Sequence, residues 1–273
     1  MTESLLSVCD LHKVFRGRRG HEDVVAVDGV SFELSAGESL AIVGESGSGK
    51  TTVARMIVGL ERPTGGTVSV RGVKLDVGST RARDRRERAR RVQMVFQDPY
   101  SSLDRLQSVE QILSDALSLN PSVASSKRSD EVRRLLSSVG LQERHSQARP
   151  GALSGGQRQR VAIARALAVG PDVVVLDEAV AALDVSIQAQ VLNLLKELRE
   201  TTGTAYLFIS HDLAVVNQVS ERCVVMRRGR VVEEGTTEVV LHHPSHEYTR
   251  RLRDAVPRAG WRPQRSYEVI EGS

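Results

Sequence analysis

The stretch Gly44-Glu45-Ser46-Gly47-Ser48-Gly49-Lys50-Thr51 constrains the fold more than any other part of this chain. It fits the pattern GxxxxGK[ST], with a short apolar run at 39–43 before it and a helical pattern at 50–60 after it, the context this loop needs. Its glycines let successive backbone N–H groups curl around one anion, and the helix that follows adds a favourable dipole. In that geometry Lys50 would reach the terminal phosphates of a nucleotide, the Thr51 hydroxyl would bind Mg²⁺, and Thr52 would add a phosphate contact. A loop of this kind sits where a strand turns into a helix, which excludes an all-helical or all-β chain.

Further along, short apolar runs alternate with helical spacing. Residues 4–38 read as β-rich, in two runs (5–15 and 24–38) around a polar insert at 16–23, and 67–75 reads as another strand. Helical spacing fills 105–145, and 154–169 and 185–200 read as helices, the last with Ile187, Val191, Leu194, Leu195 and Leu198 on one face. Residues 173–176 and 204–210 are continuous apolar strands, and 223–226 and 230–233 form a hairpin. Strands alternating with helices imply a largely parallel α/β sheet, flanked here by an antiparallel layer and interrupted by a helical insert.

Ligands of such sheets gather at the carboxyl ends of the strands. Asp177 and Glu178 end the 173–176 strand. Asp177 suits Mg²⁺ coordination, and Glu178 would orient or deprotonate an attacking water. Gln97, after the strand-like 92–96, would reach Mg²⁺ and water. His211, after the 204–210 strand, would hydrogen-bond a γ-phosphate. A second glycine motif, Leu153-Ser154-Gly155-Gly156-Gln157, opens a helix. The Ser154 hydroxyl and the N–H groups of Gly155 and Gly156 would make another anion cradle.

Two phosphate cradles with an Asp-Glu pair between strand and loop resemble the ATP-binding-cassette (ABC) ATPases, over nearly the whole chain. The resemblance implies a P-loop NTPase of ABC type, with an antiparallel β subdomain and a helical subdomain inserted at roughly 100–170. It places the ATPase domain at 1–255 and a C-terminal tail at 256–273. It implies ATP sandwiched head-to-tail, so that Ser154, Gly155, Gly156 and Gln157 act on ATP held by another subunit. Asp184, in Ala182-Leu183-Asp184, resembles the loop linking the two sites. Phe15 resembles the aromatic that stacks on adenine, with a buried core Phe as the rival reading.

Three stretches resemble the ATPases of peptide, dipeptide and nickel importers: 97–103, 184–195 and 243–251. That resemblance implies a second ATPase chain in a heterodimer, two membrane permease subunits, an extracytoplasmic solute-binding protein, and a place on the cytoplasmic face of the membrane. The family's usual Glu-Pro-Thr-Ser reads Glu178-Ala179-Val180-Ala181 here, and Glu247 replaces the Pro of its His-Pro-Tyr-Thr tail. DNA-repair relatives insert long coiled coils, and the span between the two glycine motifs carries no sustained heptads.

Only 3% of residues are aromatic, so the core must rest on Val, Leu, Ile and Ala. Cys9 and Cys223 both read as small buried hydrophobes, without a metal or disulfide signature. The N-terminus lacks the pattern of a signal peptide, and no apolar run is long enough to span a bilayer. The arginine-rich run at 81–91 reads as a solvated helix face, with lipid headgroups or nucleic acid as alternatives. No aromatics are interleaved to stack on bases, and no nucleic acid is expected as a partner.

Overall fold

The computed structural model describes residues 4–17 and 22–255. The expected tail at 256–273, and residues 18–21 of the polar insert, lie outside the described residues.

In chain order the elements are β1 (Ser4–Phe15), β2 (Val24–Ser35), β3 (Ser39–Val43), α1 (Lys50–Ile57), β4 (Gly65–Val70), β5 (Val73–Lys74), α2 (Ala82–Arg91) and β6 (Val92–Val95). Then come α3 (Pro99–Ser102), α4 (Val109–Leu117), α5 (Arg128–Ser138) and α6 (Gly155–Ala168), with short 3-10 turns among them. The chain continues through β7 (Val173–Asp177), α7 (Val185–Thr202), β8 (Ala205–Ser210), α8 (Leu213–Val219), β9 (Arg222–Arg227), β10 (Arg230–Thr236), α9 (Thr237–His242) and α10 (Glu247–Asp254).

Two sheets form. One is antiparallel, in the order β2-β1-β4-β5; the other runs β10-β9-β3-β8-β7-β6. The second is parallel from β9 to β6, and β10 joins its edge as an antiparallel hairpin partner. Side-chain alternation divides its strands between two cores. Leu40, Ile42, Val173, Val175, Leu207 and Ile209 face α1 and the antiparallel sheet. Ala41, Val43, Val174, Leu176, Tyr206 and Phe208 face the helices from α4 to α8. Burial on both faces explains why β3, β7 and β8 read as unbroken apolar runs. The cores are built from aliphatic side chains, as the composition requires.

Three expectations change. The run at 67–75 is a hairpin rather than one strand: Arg71 (φ 50°) and Gly72 (φ 71°) make a tight turn between β4 and β5. Cys9 is exposed, while Cys223 is buried. The β1–β2 register shifts between Val8 and Leu11, and Asp10 takes φ 49°, so Val8 and Leu11 point inward while Cys9 and Asp10 face out. The run at 81–91 is mostly a solvated helix face, except that Arg88 is buried. Its Nε donates to Val58 O (3.1 Å) and its Nη1 to Asp76 O (2.8 Å), in space that a side chain at Gly59 would fill.

Candidate functional site

The carboxyl ends of four neighbouring strands meet at one place. Val43 pairs with Ser210, Asp177 with Ile209 and Val95 with Leu176. Continuing each strand brings Gly44, His211, Glu178 and Gln97 to the same edge of the sheet.

The turn out of β3 is closed by Ser48 N–H donating to Glu45 O (3.2 Å) and Gly229 N–H donating to Ser48 O (3.0 Å). Gly44 (φ 152°) and Gly49 (φ 102°) are the positions where only glycine serves. A Cβ on Gly44 would stand 2.2 Å from Met226 O, and one on Gly49 2.4 Å from Ala26 O. The tip, Glu45, Ser46 and Gly47, is exposed, and nothing lies within 4 Å of where a Gly47 Cβ would be. Gly49 caps α1, and Ser48 and Lys50 are buried beneath the loop.

Lys50 Nζ donates to Gly44 O (2.7 Å) and Glu45 O (2.8 Å). Burial pushes its pKa down, against the pull of Glu178, Asp177 and Glu45. An anion received in the loop would repay that lost hydration. Thr51 Oγ1 donates to Asp177 Oδ1 (3.2 Å). Burial pushes the Asp177 pKa up and Glu178 adds to it, while the Thr51 hydrogen bond opposes. Two adjacent oxygen donors, one a largely buried carboxylate, fit a hard divalent cation such as Mg²⁺. Thr52 is half-buried on the next helical position.

Glu178 takes φ 47°, a conformation that costs a non-glycine residue about 1–3 kcal/mol and persists only where its surroundings enforce it. Its N–H is held by Ile209 O (3.0 Å), and its Oε1 lies 2.9 Å from His211 Nδ1. The carboxylate is half-buried and the imidazole exposed. Gln97 is exposed beyond β6, past the carboxyl end of its strand. Phe15 is 40% exposed at the end of β1, with Lys13 Nζ 4.8 Å from its ring centroid, so it is not a core Phe.

The second glycine motif is built differently. Ser154 is the N-cap of α6: its Oγ accepts from Gln157 N–H (3.3 Å), and Gln157 Oε1 accepts from Ser154 N–H (2.9 Å). The Gln157 side chain is thus engaged at both ends, its Oε1 in the cap and its Nε2 3.3 Å from His145 Nε2. The N–H groups of Gly155 and Gly156, in the first turn, have no intrahelical acceptor. Gly156 also has a packing duty that spacing did not reveal, because a Cβ there would stand 2.7 Å from Ile187 Cγ2 of α7. Asp184 is the N-cap residue of α7, yet its carboxylate makes no cap bond and is exposed. Among the described residues no hydrogen bond or ion pair joins 44–52 to 153–157.

Sequence reasoning missed Tyr248 of α10, whose Oη accepts from Glu45 N–H at the phosphate loop (3.0 Å). No local pattern announces a bond across that much of the chain.

A phosphate loop with paired acids on a parallel sheet, and a second glycine cradle apart from it, define a nucleotide-handling cassette. Residues 27–181 match the family model for ABC transporter. The dipeptide transport ATP-binding protein DppF of Escherichia coli (strain K12) is 43% identical over 262 residues, covering 94% of this chain and 78% of its own length. The di/tripeptide transport ATP-binding protein DppF of Pseudomonas aeruginosa is 46% identical over 260 residues, 93% of this chain and 80% of its own. Among solved structures, CbiO1 of Clostridium perfringens, part of an ABC transporter complex, superposes with TM-score 0.76 at 27% identity over 94% of this chain and 98% of its own. The ATP-binding cassette MJ0796, a dimer in a post-hydrolysis state bound to ADP and Pi, gives 0.74 at 29% identity over 85% and 98%. The chain belongs to the ABC transporter family, as an ATP-binding cassette that binds and hydrolyses ATP.

Proposed function

We propose that this chain energises uptake of di- and oligopeptides, as the ATP-hydrolysing subunit of an importer on the cytoplasmic face of the membrane. The cluster of Lys50, Thr51, Asp177, Glu178 and His211 at adjoining strand ends carries the ATPase reading. The dipeptide and di/tripeptide transport relatives support the cargo class. The partners are a second, different ATPase chain, two permease subunits and an extracytoplasmic solute-binding protein. No helix among the described residues is long and apolar enough to cross a membrane, so docking falls to a surface. The segment from α3 to α4 offers one: Leu106 is 79% exposed, and the Arg105 and Arg158 guanidinium groups lie 4.0 and 5.3 Å from the Tyr100 ring centroid.

In this reading the loop 44–51 and Thr52 cradle the phosphates of ATP, Lys50 balances their charge, and Phe15 stacks on adenine. Thr51, Asp177 and Gln97 would hold Mg²⁺, which supplies neutralisation of the phosphate oxygens. Glu178 accepts a proton from water as that oxygen bonds to the γ-phosphorus. The bond from γ-phosphorus to the bridging oxygen breaks, and ADP leaves with its electron pair. His211 fixes the Glu178 carboxylate and reaches the γ-phosphate. Ser154, Gly155 and Gly156 complete the ATP site of the other ATPase chain, and Asp184 links the two sites.

Glu178→Gln tests the assignment. Turnover of the assembled transporter should fall about 100-fold or more, as loss of a general base does, while ATP binding holds. Near-normal hydrolysis would remove Glu178 from the chemistry.

A further inference from the structure

Nothing in the ATPase reading uses Tyr248, yet it makes a direct bond to the phosphate loop. The residue is 4% exposed, and its Oη accepts the Glu45 N–H at 3.0 Å. That N–H belongs to the peptide unit between Gly44 and Glu45. The same unit's carbonyl, Gly44 O, accepts from Lys50 Nζ at 2.7 Å. A peptide unit is planar, so fixing where its N–H points fixes where its C=O points. The tyrosine oxygen therefore aims the carbonyl that holds the lysine ammonium, and charge on the lysine polarises the whole line in the same sense.

Two features make this line matter. Gly44 sits at φ 152° with Met226 O only 2.2 Å from where a Cβ would be, so this end of the line has a backbone geometry that only glycine supplies. The tyrosine itself is firmly placed. The Arg227 guanidinium of β9 lies 4.9 Å from its ring centroid. Its own N–H donates to His246 Nδ1 (3.0 Å), the N-cap of α10. The preceding turn is tied to Glu233 of β10, which accepts from Ser245 N–H (2.7 Å), Ser245 Oγ (2.8 Å) and His246 N–H (3.2 Å). Burial raises the phenol pKa, so the oxygen stays a neutral acceptor. The β9–β10 hairpin and α10 thus hold the Gly44–Glu45 peptide of the phosphate loop from outside the loop.

We infer that Tyr248 is a positioning residue for ATP binding, acting through the Gly44–Glu45 peptide on Lys50; this rests on the phosphate-loop reading above. The test uses Tyr248→Phe in the assembled transporter, which removes one oxygen and keeps the packed ring. One neutral hydrogen bond corresponds to about a three- to tenfold change, so KM for ATP should rise by that factor while kcat at saturation stays within about twofold. The unfolding midpoint without nucleotide should barely move, and the stabilisation conferred by ATP should shrink. An unchanged KM in the folded variant would overturn the inference, as would a fall in kcat at constant KM. Lys50→Ala separates the two levels. If it abolishes ATP binding while Tyr248→Phe is silent, only the inference falls; if ATP still binds, the phosphate-loop reading falls with it.

Discussion

The two glycine motifs look alike on paper and behave oppositely in the fold. At 44–52 the side chains turn inward upon one another: Lys50 to loop carbonyls, Thr51 to Asp177, and nearby Glu178 to His211. Charge is concentrated and partly buried, and burial pushes Lys50 down and Asp177 up. At 153–157 the Ser154 and Gln157 side chains are spent on starting a helix, and the first-turn N–H groups of Gly155 and Gly156 are left without an intrahelical acceptor. Asp184, with Val185 84% exposed beside it, extends that open surface. One region is built to be completed by a small anionic ligand. The other offers only uncharged donors at the start of a helix, and we propose it as a surface offered to a partner's ligand.

Gly156→Ala probes the second region hardest. Its Cβ would overlap Ile187 Cγ2, an overpacking that costs about 1–3 kcal/mol of stability in denaturant melts. Adding Ile187→Ala should recover much of that stability without restoring hydrolysis by the assembled transporter beyond the level of the single variant. Full recovery of both would reduce Gly156 to a packing residue and erase the contrast between the motifs.

A smaller effect contrasts the two sheets around the phosphate loop. Cys9 is exposed, whereas burial pushes the Cys223 thiol on β9, beside β3, up to about 12, leaving almost no thiolate at neutral pH. A thiol reagent should therefore label one cysteine quickly in the native chain and the second only on unfolding. Rapid labelling of both would mean that the strand next to the phosphate loop opens freely.

Local chemistry was legible in the residues. Glycine spacing, apolar runs and acids at strand ends each depend on neighbours in sequence, and the structure brings Gly44–Thr51, Asp177, Glu178 and His211 to one edge. What spacing hid was set by distant packing. The outward turn of Cys9 follows from a register shift against β2. The hairpin at Arg71 and Gly72 hides in a run whose apolar pattern continues through the turn. The second duty of Gly156 depends on α7, and the bond from Tyr248 to Glu45 depends on how α10 returns to the loop. Ser154 and Gln157 read as ligand groups from their motif, and the structure gives both a capping role as well.

The central claim is that hydrolysis needs the 153–157 surface of one chain against the phosphate loop of another. Ser154→Arg in the assembled transporter tests it, with ATP bound to this chain's own phosphate loop and total turnover measured together. The account predicts that this chain binds ATP with unchanged affinity while hydrolysis at the facing site is lost. Hydrolysis at the wild-type rate with Ser154 replaced would contradict it.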